Sequence, residues 1–346
     1  MKEEKPLKFS VAVICYKRKD FIIEALKSVL QQDFPREEIQ IVVVKAFYDQ
    51  EIDNFIEKNG IESVFSDSDS YGQSVSDALS VCDGDVICLL DDDDLFKKEK
   101  LRIIYSVFHD NPQLALVVNN YDIIDENSRK VDSKFHSKNR QMQYNLGFRI
   151  YNPNDAKFNT IFRHLQLNFN SSRMCFRRNI LENYNELIPK ILYLVDEIPP
   201  LLSIISGRPM ATLPDELTDY RIHKSNVSLI TSQDEKMQKF LFSHRKMISD
   251  FNTLKNFIGE RGDLSIFYSI AFSYEKMKLA LVEGRRSESL SEGKELLGKL
   301  MKGFRQALLF RRETLSIGGL LLNLSFLPVV YISPKAARRL RILFPL

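Results

Sequence analysis

Over residues 9–110 apolar and polar positions are grouped in blocks that repeat one pattern. The apolar run Phe9 to Tyr16 precedes a stretch of helical spacing, Phe21 to Gln31. A second run, Ile39 to Val44, precedes a second helical stretch, Asp49 to Lys58. A short run at Ser63 to Phe65 leads through a loop to Gly72 and a helical stretch, Gln73 to Val81. The run Val86 to Leu90 and a helix over about Lys97 to His109 close the series. Strands nearly continuous in Val, Ile and Leu, alternating with helices, predict a parallel sheet covered on both faces. In such sheets ligands bind beyond the C-terminal strand ends, where the strand order reverses.

Beyond Pro112 the pattern changes. Leu114 to Ile124 is β-rich and ends in the turn-like Asp125-Glu126-Asn127-Ser128; residues 132–153 are polar and irregular, with the character of a lid. Pro153 to Leu165 has helical character, and Ser172 to Phe176 is strand-like. Residues 234–312 carry the 3.6-residue periodicity of several helices. These shifts predict an α/β domain over residues 1–230 and a helical region over 231–346. Thr314 to Pro334 holds no charge, but Gly318-Gly319 and Pro328 disfavour a straight spanning helix. Lys335 to Phe344 interleaves Lys and Arg with large apolar residues, so 314–346 suits either an anionic membrane surface or a packed helical pair.

The chemistry concentrates where an apolar run meets charge. Val86 to Leu90 runs directly into four aspartates, Asp91 to Asp94. Adjacent carboxylates repel and are costly to desolvate, so a partner cation is expected, and a divalent ion bridging an anionic substrate suits oxygen ligands. Strand alternation sends Asp91 and Asp93 to one side and the other two elsewhere, with Asp94 as the cap of the next helix.

The segment Gly84-Asp85-Val86-Ile87-Cys88-Leu89-Leu90-Asp91-Asp92-Asp93-Asp94-Leu95-Phe96 resembles the acidic motif of family 2 glycosyltransferases, nucleotide-sugar-dependent enzymes of the GT-A fold. Ser10 to Arg18, the stretch Ala25 to Gln32 and the Gly72 loop are similar to that family's opening, and the resemblance extends over residues 9 to about 230. It implies a GT-A-like, Rossmann-type, mostly parallel sheet with flanking helices, followed by a helical C-terminal region. It also implies a base-binding loop at Cys15, Tyr16 and Lys17, with Gly72 and Asp92 on the donor side. Asp91 would lie near ribose and phosphate and also approach the metal, and Asp93 would be the principal ligand of Mg2+ or Mn2+. The family's acidic residue at the end of the second strand is replaced by Lys45, which cannot accept a base N–H and would approach a phosphate or be solvated, with Asp49 or Asp67 as substitutes.

Two later stretches extend the resemblance. Asp196-Glu197 is similar to the family's acidic pair that supplies the catalytic base, with Asp196 preferred and Glu197 the alternative; an acidic pair at a helix start before Pro199 is the ordinary reading. Tyr220-Arg221-Ile222-His223 resembles the stretch that closes the catalytic domain, with His223 a further metal or diphosphate ligand and Arg221 pairing with Asp215 or Asp219. Asn170-Ser171-Ser172 falls where such enzymes line the acceptor cleft.

Composition narrows the picture. A net charge of +3 gives no ground for nucleic acid as a partner. Cys15, Cys82, Cys88 and Cys175 contain no C-x-x-C pair and three sit in or beside apolar runs, so reduced core thiols and a cytoplasmic location are expected, and the opening MKEEKPLKF does not read as an apolar leader. The expected partners are a nucleotide-sugar donor, a glycan or lipid-linked acceptor, and a membrane surface through the tail. Two rivals remain: a sugar-phosphate nucleotidyltransferase, disfavoured because Cys15 to Arg18 has no glycine, and a non-catalytic nucleotide- or glycan-binding descendant of the same fold.

Overall fold

The computed structural model describes residues 7–15, 18–68, 70–131, 147–153, 170–181, 184–223 and 233–302. Tyr16, Lys17, residues 132–146 of the lid-like stretch, the 154–165 helical stretch and the 314–346 tail lie outside the described residues.

Strand β1 (Phe9–Cys15) is buried at every position, as are the last five residues of β2 (Ile39–Lys45) and the apolar part of β4 (Val86–Asp91). With β3 (Glu62–Phe65) they form the parallel order β3-β2-β1-β4. Helix α1 (Ile22–Leu30) turns Ile22, Ala25, Leu26 and Val29 into the core, the i, i+3, i+4, i+7 stripe of an amphipathic helix. Helix α2 (Gln50–Lys58) starts where the Asp49 carboxylate accepts the N–H groups of Glu51 and Ile52. Helix α3 (Tyr71–Val81) starts where Ser70 Oγ accepts the Gln73 N–H, and α4 (Lys100–Asp110) follows the short strand β5 (Leu95–Phe96).

Past β4 the sheet becomes mixed. It continues through β8 (Met174–Arg177), β6 (Leu116–Ile124), β9 (Met210–Arg221) and β5, with β7 (Arg149–Tyr151) paired to β9. β8 lies antiparallel between β4 and β6, whereas β6 and β9 are parallel. The pairing of β4 with β8 sets Cys88 opposite Cys175, Cα to Cα 4.2 Å, and the two sulfurs form a disulfide. That corrects the expectation of four reduced thiols and removes the cysteine argument for a reducing compartment; Cys15 and Cys82 are free and buried. Two residues 87 positions apart become neighbours only through strand pairing, which spacing does not reveal.

The entry to β4 is fixed as firmly as its exit. Gly84 N–H donates to Ser10 Oγ at 2.8 Å, and the Asp85 carboxylate accepts the Lys8 N–H at 3.0 Å. A Cβ at Gly84 would lie 2.5 Å from the Ser10 backbone nitrogen, so β1 and the start of β4 meet this closely only at glycine.

The chain divides into two compact units. The first holds the sheet and includes Val195–Asn226. It also contains helix α5 (Ile198–Ile205), whose start carries the proline expected there. The second includes Leu192–Leu194 and the helices α6 (Gln233–Ile258), α7 (Gly262–Glu283) and α8 (Arg286–Lys302). Within it the buried Asp250 carboxylate accepts the N–H groups of Leu192, Tyr193 and Leu194 at 2.7–2.9 Å. Among the described residues no helix is long and apolar enough to cross a membrane.

Candidate active site

The parallel strands β1 and β4 are neighbours, with Ile14 opposite Asp91, and β1 connects to β2 on its other side. This is the switch point, and the aspartates sit at its C-terminal edge. β4 ends at Asp91, and the chain then turns, with Asp94 N–H donating to Asp91 O at 3.2 Å. Strand alternation therefore stops one residue into the block. Asp91, Asp93 and Asp94 converge, each offering an oxygen within 4.8 Å of the others, while Asp92 turns to Arg18. Asp94 is not a helix cap: β5 separates it from α4, and its Oδ1 accepts the Arg221 N–H at 3.0 Å.

Nitrogen-bearing side chains surround the block. Arg18 reaches Asp92 Oδ1 at 2.5 Å and Asp93 Oδ2 at 2.7 Å, and His223 Nε2 lies 2.9 Å from the same Asp93 oxygen. Arg221, fully buried, donates through Nε to Asp93 O at 2.8 Å and pairs with Glu24 at 2.9 Å, not with Asp215 or Asp219. Its guanidinium also stacks 4.4 Å from the Phe21 ring centroid.

The four carboxyls respond differently to one setting. Burial and the charges of Asp94 and Asp93 push Asp91 well above the ordinary carboxylate value. Burial pushes Asp92 up to about 6 against the pull of Arg18, and burial with the Asp93 charge pushes Asp94 up to about 8. For Asp93 burial is outweighed by the His223 hydrogen bond and the Arg18 charge, and its carboxyl falls below the ordinary value. Asp94 Oδ2 is buried, and the Ser172 hydroxyl is the side-chain group that reaches this carboxyl to lower its pKa. Three converging carboxyl groups with oxygens within 4.8 Å of one another fit a hard divalent cation, which Asp91, Asp93 and Asp94 would hold.

A second acidic group stands on a 3-10 turn, Val195–Glu197, that leads into α5. Asp196 is half-buried; desolvation pushes its carboxyl up to about 6, against the Ser171 hydrogen bond and the Arg173 charge. The Ser171 hydroxyl donates to Asp196 Oδ1. Glu197 occupies the position before the first turn of α5 without a side-chain capping bond. Tyr71 joins the two acidic regions, its hydroxyl 2.5 Å from Asp91 Oδ1 and 3.2 Å from Ser171 Oγ. Ser172 Oγ accepts the Asp91 N–H at 3.0 Å.

The other expected residues divide. Cys15 Sγ donates to Arg18 O at 2.8 Å, and burial raises its thiol pKa. Lys45 is buried and not solvated: its Nζ donates to Phe47 O at 2.8 Å and pairs with Asp53 at 2.8 Å. Asp49 is committed to capping α2 and to Lys19. Gly72 serves packing: a Cβ there would lie 2.1 Å from Ile191 O and 2.3 Å from Ile188 O, so the first turn of α3 meets that backbone only at glycine. The sequence reading missed Tyr71, the Arg18 pairing and the Ser171 link to Asp196. Arg18, three residues past β1, is a cation beyond an apolar strand end and becomes legible only because β1 and β4 pair; the Tyr71 and Ser171 links left no trace.

The comparisons with known proteins agree with this geometry. The model of Glycosyl transferase family 2 matches residues 10–184. An uncharacterized glycosyltransferase of Nostoc sp. is 26% identical over 274 residues, covering 75% of this chain and 80% of that protein. The poly(ribitol-phosphate) beta-N-acetylglucosaminyltransferase TarS of Staphylococcus aureus is 30% identical over 102 residues, 28% of this chain and 18% of TarS. A crystal structure of S. aureus TarS 1-349 aligns with a TM-score of 0.53, at 15% identity and covering 96% of this chain and 90% of that one. For its complex with UDP-GlcNAc the TM-score is 0.51, at 17% identity and covering 87% and 92%. The fold is GT-A, and with the family model spanning β1, the aspartate block and Ser171, the chain belongs to glycosyl transferase family 2 and is a glycosyltransferase.

Proposed function

We propose that the enzyme transfers a sugar from a uridine diphosphate donor to an acceptor hydroxyl with inversion at the anomeric carbon, using Mg2+ or Mn2+ held by Asp91, Asp93 and Asp94. The observation that carries this reading is the convergence of those three carboxylates at the switch point, joined through Tyr71 and Ser171 to the separate carboxyl of Asp196. The solved TarS structures with UDP and UDP-GlcNAc support the choice of donor class. The cation, when bound, supplies Lewis-acid stabilisation to the leaving diphosphate. Asp91, at the end of β4, orients the donor ribose and phosphate, and Arg18 adds positive charge beside Asp92 and Asp93.

Asp196 acts as the base. It takes the proton of the acceptor hydroxyl as that oxygen bonds to the anomeric carbon, and the electron pair of the breaking carbon–oxygen bond leaves with the nucleoside diphosphate. A base with a carboxyl near 6 is ionised at neutral pH yet basic enough to hold the proton. The acceptor belongs to a glycan or a lipid-linked molecule, and the 314–346 tail brings the enzyme to an anionic membrane surface. Asp93→Ala tests the assignment: Mn2+-dependent release of UDP from UDP-GlcNAc is lost while the circular dichroism spectrum is kept, and undiminished release would overturn it.

A further inference from the structure

Two hydroxyl groups lie in line between the acidic block and Asp196. Tyr71 Oη directs its single proton toward Asp91 Oδ1 at 2.5 Å, with Ser171 Oγ 3.2 Å away as a second, shared acceptor, and the Ser171 hydroxyl gives its own proton to Asp196 Oδ1. The line is anchored to backbone at both ends. On the Tyr71 side, Ser70 Oγ caps α3 and donates to Ile191 O at 3.2 Å, and Gly72 presses against the same carbonyl. On the Ser171 side, Asn170 Oδ1 accepts the Ser172 N–H at 3.0 Å, Ser172 Oγ accepts the Asp91 N–H at 3.0 Å, and buried Lys100 Nζ donates to Ser172 O at 2.6 Å.

Neither hydroxyl is needed to fold these elements. A phenylalanine would fill the Tyr71 position, and an alanine would let the Ser171–Arg173 turn form under its Asn170 cap. What the hydroxyls add is a fixed separation between two half-buried carboxyl groups that repel each other. We propose that Tyr71 and Ser171 are positioning residues, a two-hydroxyl strap that holds Asp196 in register with Asp91. The acceptor oxygen, drawn to Asp196, then arrives in line with a donor oriented from Asp91. The inference rests on Asp196 as the base and goes beyond it by naming what aims that base. A displacement of about 1 Å between reacting groups costs up to about a hundredfold in rate, so the strap acts on turnover and not on donor affinity.

The test uses the full chain and four variants: Tyr71→Phe, Ser171→Ala, the double variant, and Asp196→Asn. UDP release from UDP-GlcNAc with Mn2+ gives turnover, and calorimetry with UDP and Mn2+ gives affinity. Each single strap variant is expected to lower turnover about ten- to a hundredfold and leave UDP affinity within about twofold. The double variant falls no further than the more damaged single variant, because one strap breaks only once. Single-variant losses that multiply in the double, or UDP affinity that weakens in step with turnover, would overturn the proposal. If Asp196→Asn loses turnover while both strap variants keep it, the strap is wrong and the base assignment stands. If Asp196→Asn keeps turnover, the base assignment fails and the strap with it. Crystal structures of the wild type and Ser171→Ala give a readout free of donor choice: the Asp91–Asp196 carboxyl separation widens in the variant, and an unchanged separation would sink the strap.

Discussion

Asp93 and Asp196 are two sheltered carboxyl groups of one site, and they hold their protons in opposite ways. Both are desolvated, which favours the neutral form. At Asp93 the His223 hydrogen bond and the Arg18 charge overcome that pressure; at Asp196 burial prevails against the Ser171 hydroxyl and the Arg173 charge. The contrast is between a group paired to stay charged and a group supported so that its charge can change. A donor-side ligand benefits from the first and a general base from the second.

Replacing the changeable group should have the largest effect. Asp196→Asn is expected to lower turnover about 10²- to 10⁴-fold, the usual worth of a general base, with Mn2+-dependent UDP binding kept. Loss of UDP binding in that variant would merge the two regions into one. Gly72→Ala forces a methyl group against two backbone carbonyls and should cost about 1–3 kcal/mol in urea unfolding, more if the backbone cannot yield. An unchanged midpoint would mean that α3 moves freely against residues 188–191.

The pH dependence sharpens the comparison further. Turnover should fall as pH drops through about 6, where Asp196 takes up a proton, and an acid limb near 4 would show that its burial is lost in solution. In metal-free protein, Asp92 and Asp196 near 6 and Asp94 near 8 are all raised above their unfolded values. They contribute stability that is complete below the unfolded carboxylate range and lost as pH rises out of that range, by about 6 for Asp92 and Asp196 and by about 8 for Asp94, with depressed Asp93 running the other way. The melting temperature should therefore decline over that window and recover with Mn2+; a flat profile would show the carboxyls already compensated.

The smallest expected effect concerns Arg18, which already engages two of the carboxylates. Arg18→Met should tighten Mn2+ binding measured without nucleotide by a few-fold, because a competing cation is removed. Weaker binding would make Arg18 a supporter of the metal site instead of a competitor.

Much of the first half of the fold was legible because β1, β2 and β4 are buried on both faces and show as unbroken apolar runs. β9 was not: Pro214, Asp215 and Glu216 interrupt it, and its pairing with β6 shifts register at Asn120. The acidic block was legible as a cluster, but its division of labour was not. Alternation governs a strand, and β4 ends at Asp91, so the placement of Asp94 depends on Arg221, 127 residues away. Tyr71 and Ser171, separated by 100 residues, meet only in the folded chain.

The Gly84-Asp85 junction works as a measuring mark. It locks the beginning of β4 to Lys8 and Ser10, and Asp91 follows at a fixed count from that lock. Side chains alternate along a strand, so inserting one residue between Gly84 and Asp91 would exchange the two faces beyond it. Asp91 would then point away from Tyr71 with every carboxylate still in the sequence. The glycine at the far end of the strand therefore carries positional information for a reaction whose reactants never touch it, and a length change in β4 should silence the enzyme as thoroughly as deleting an aspartate.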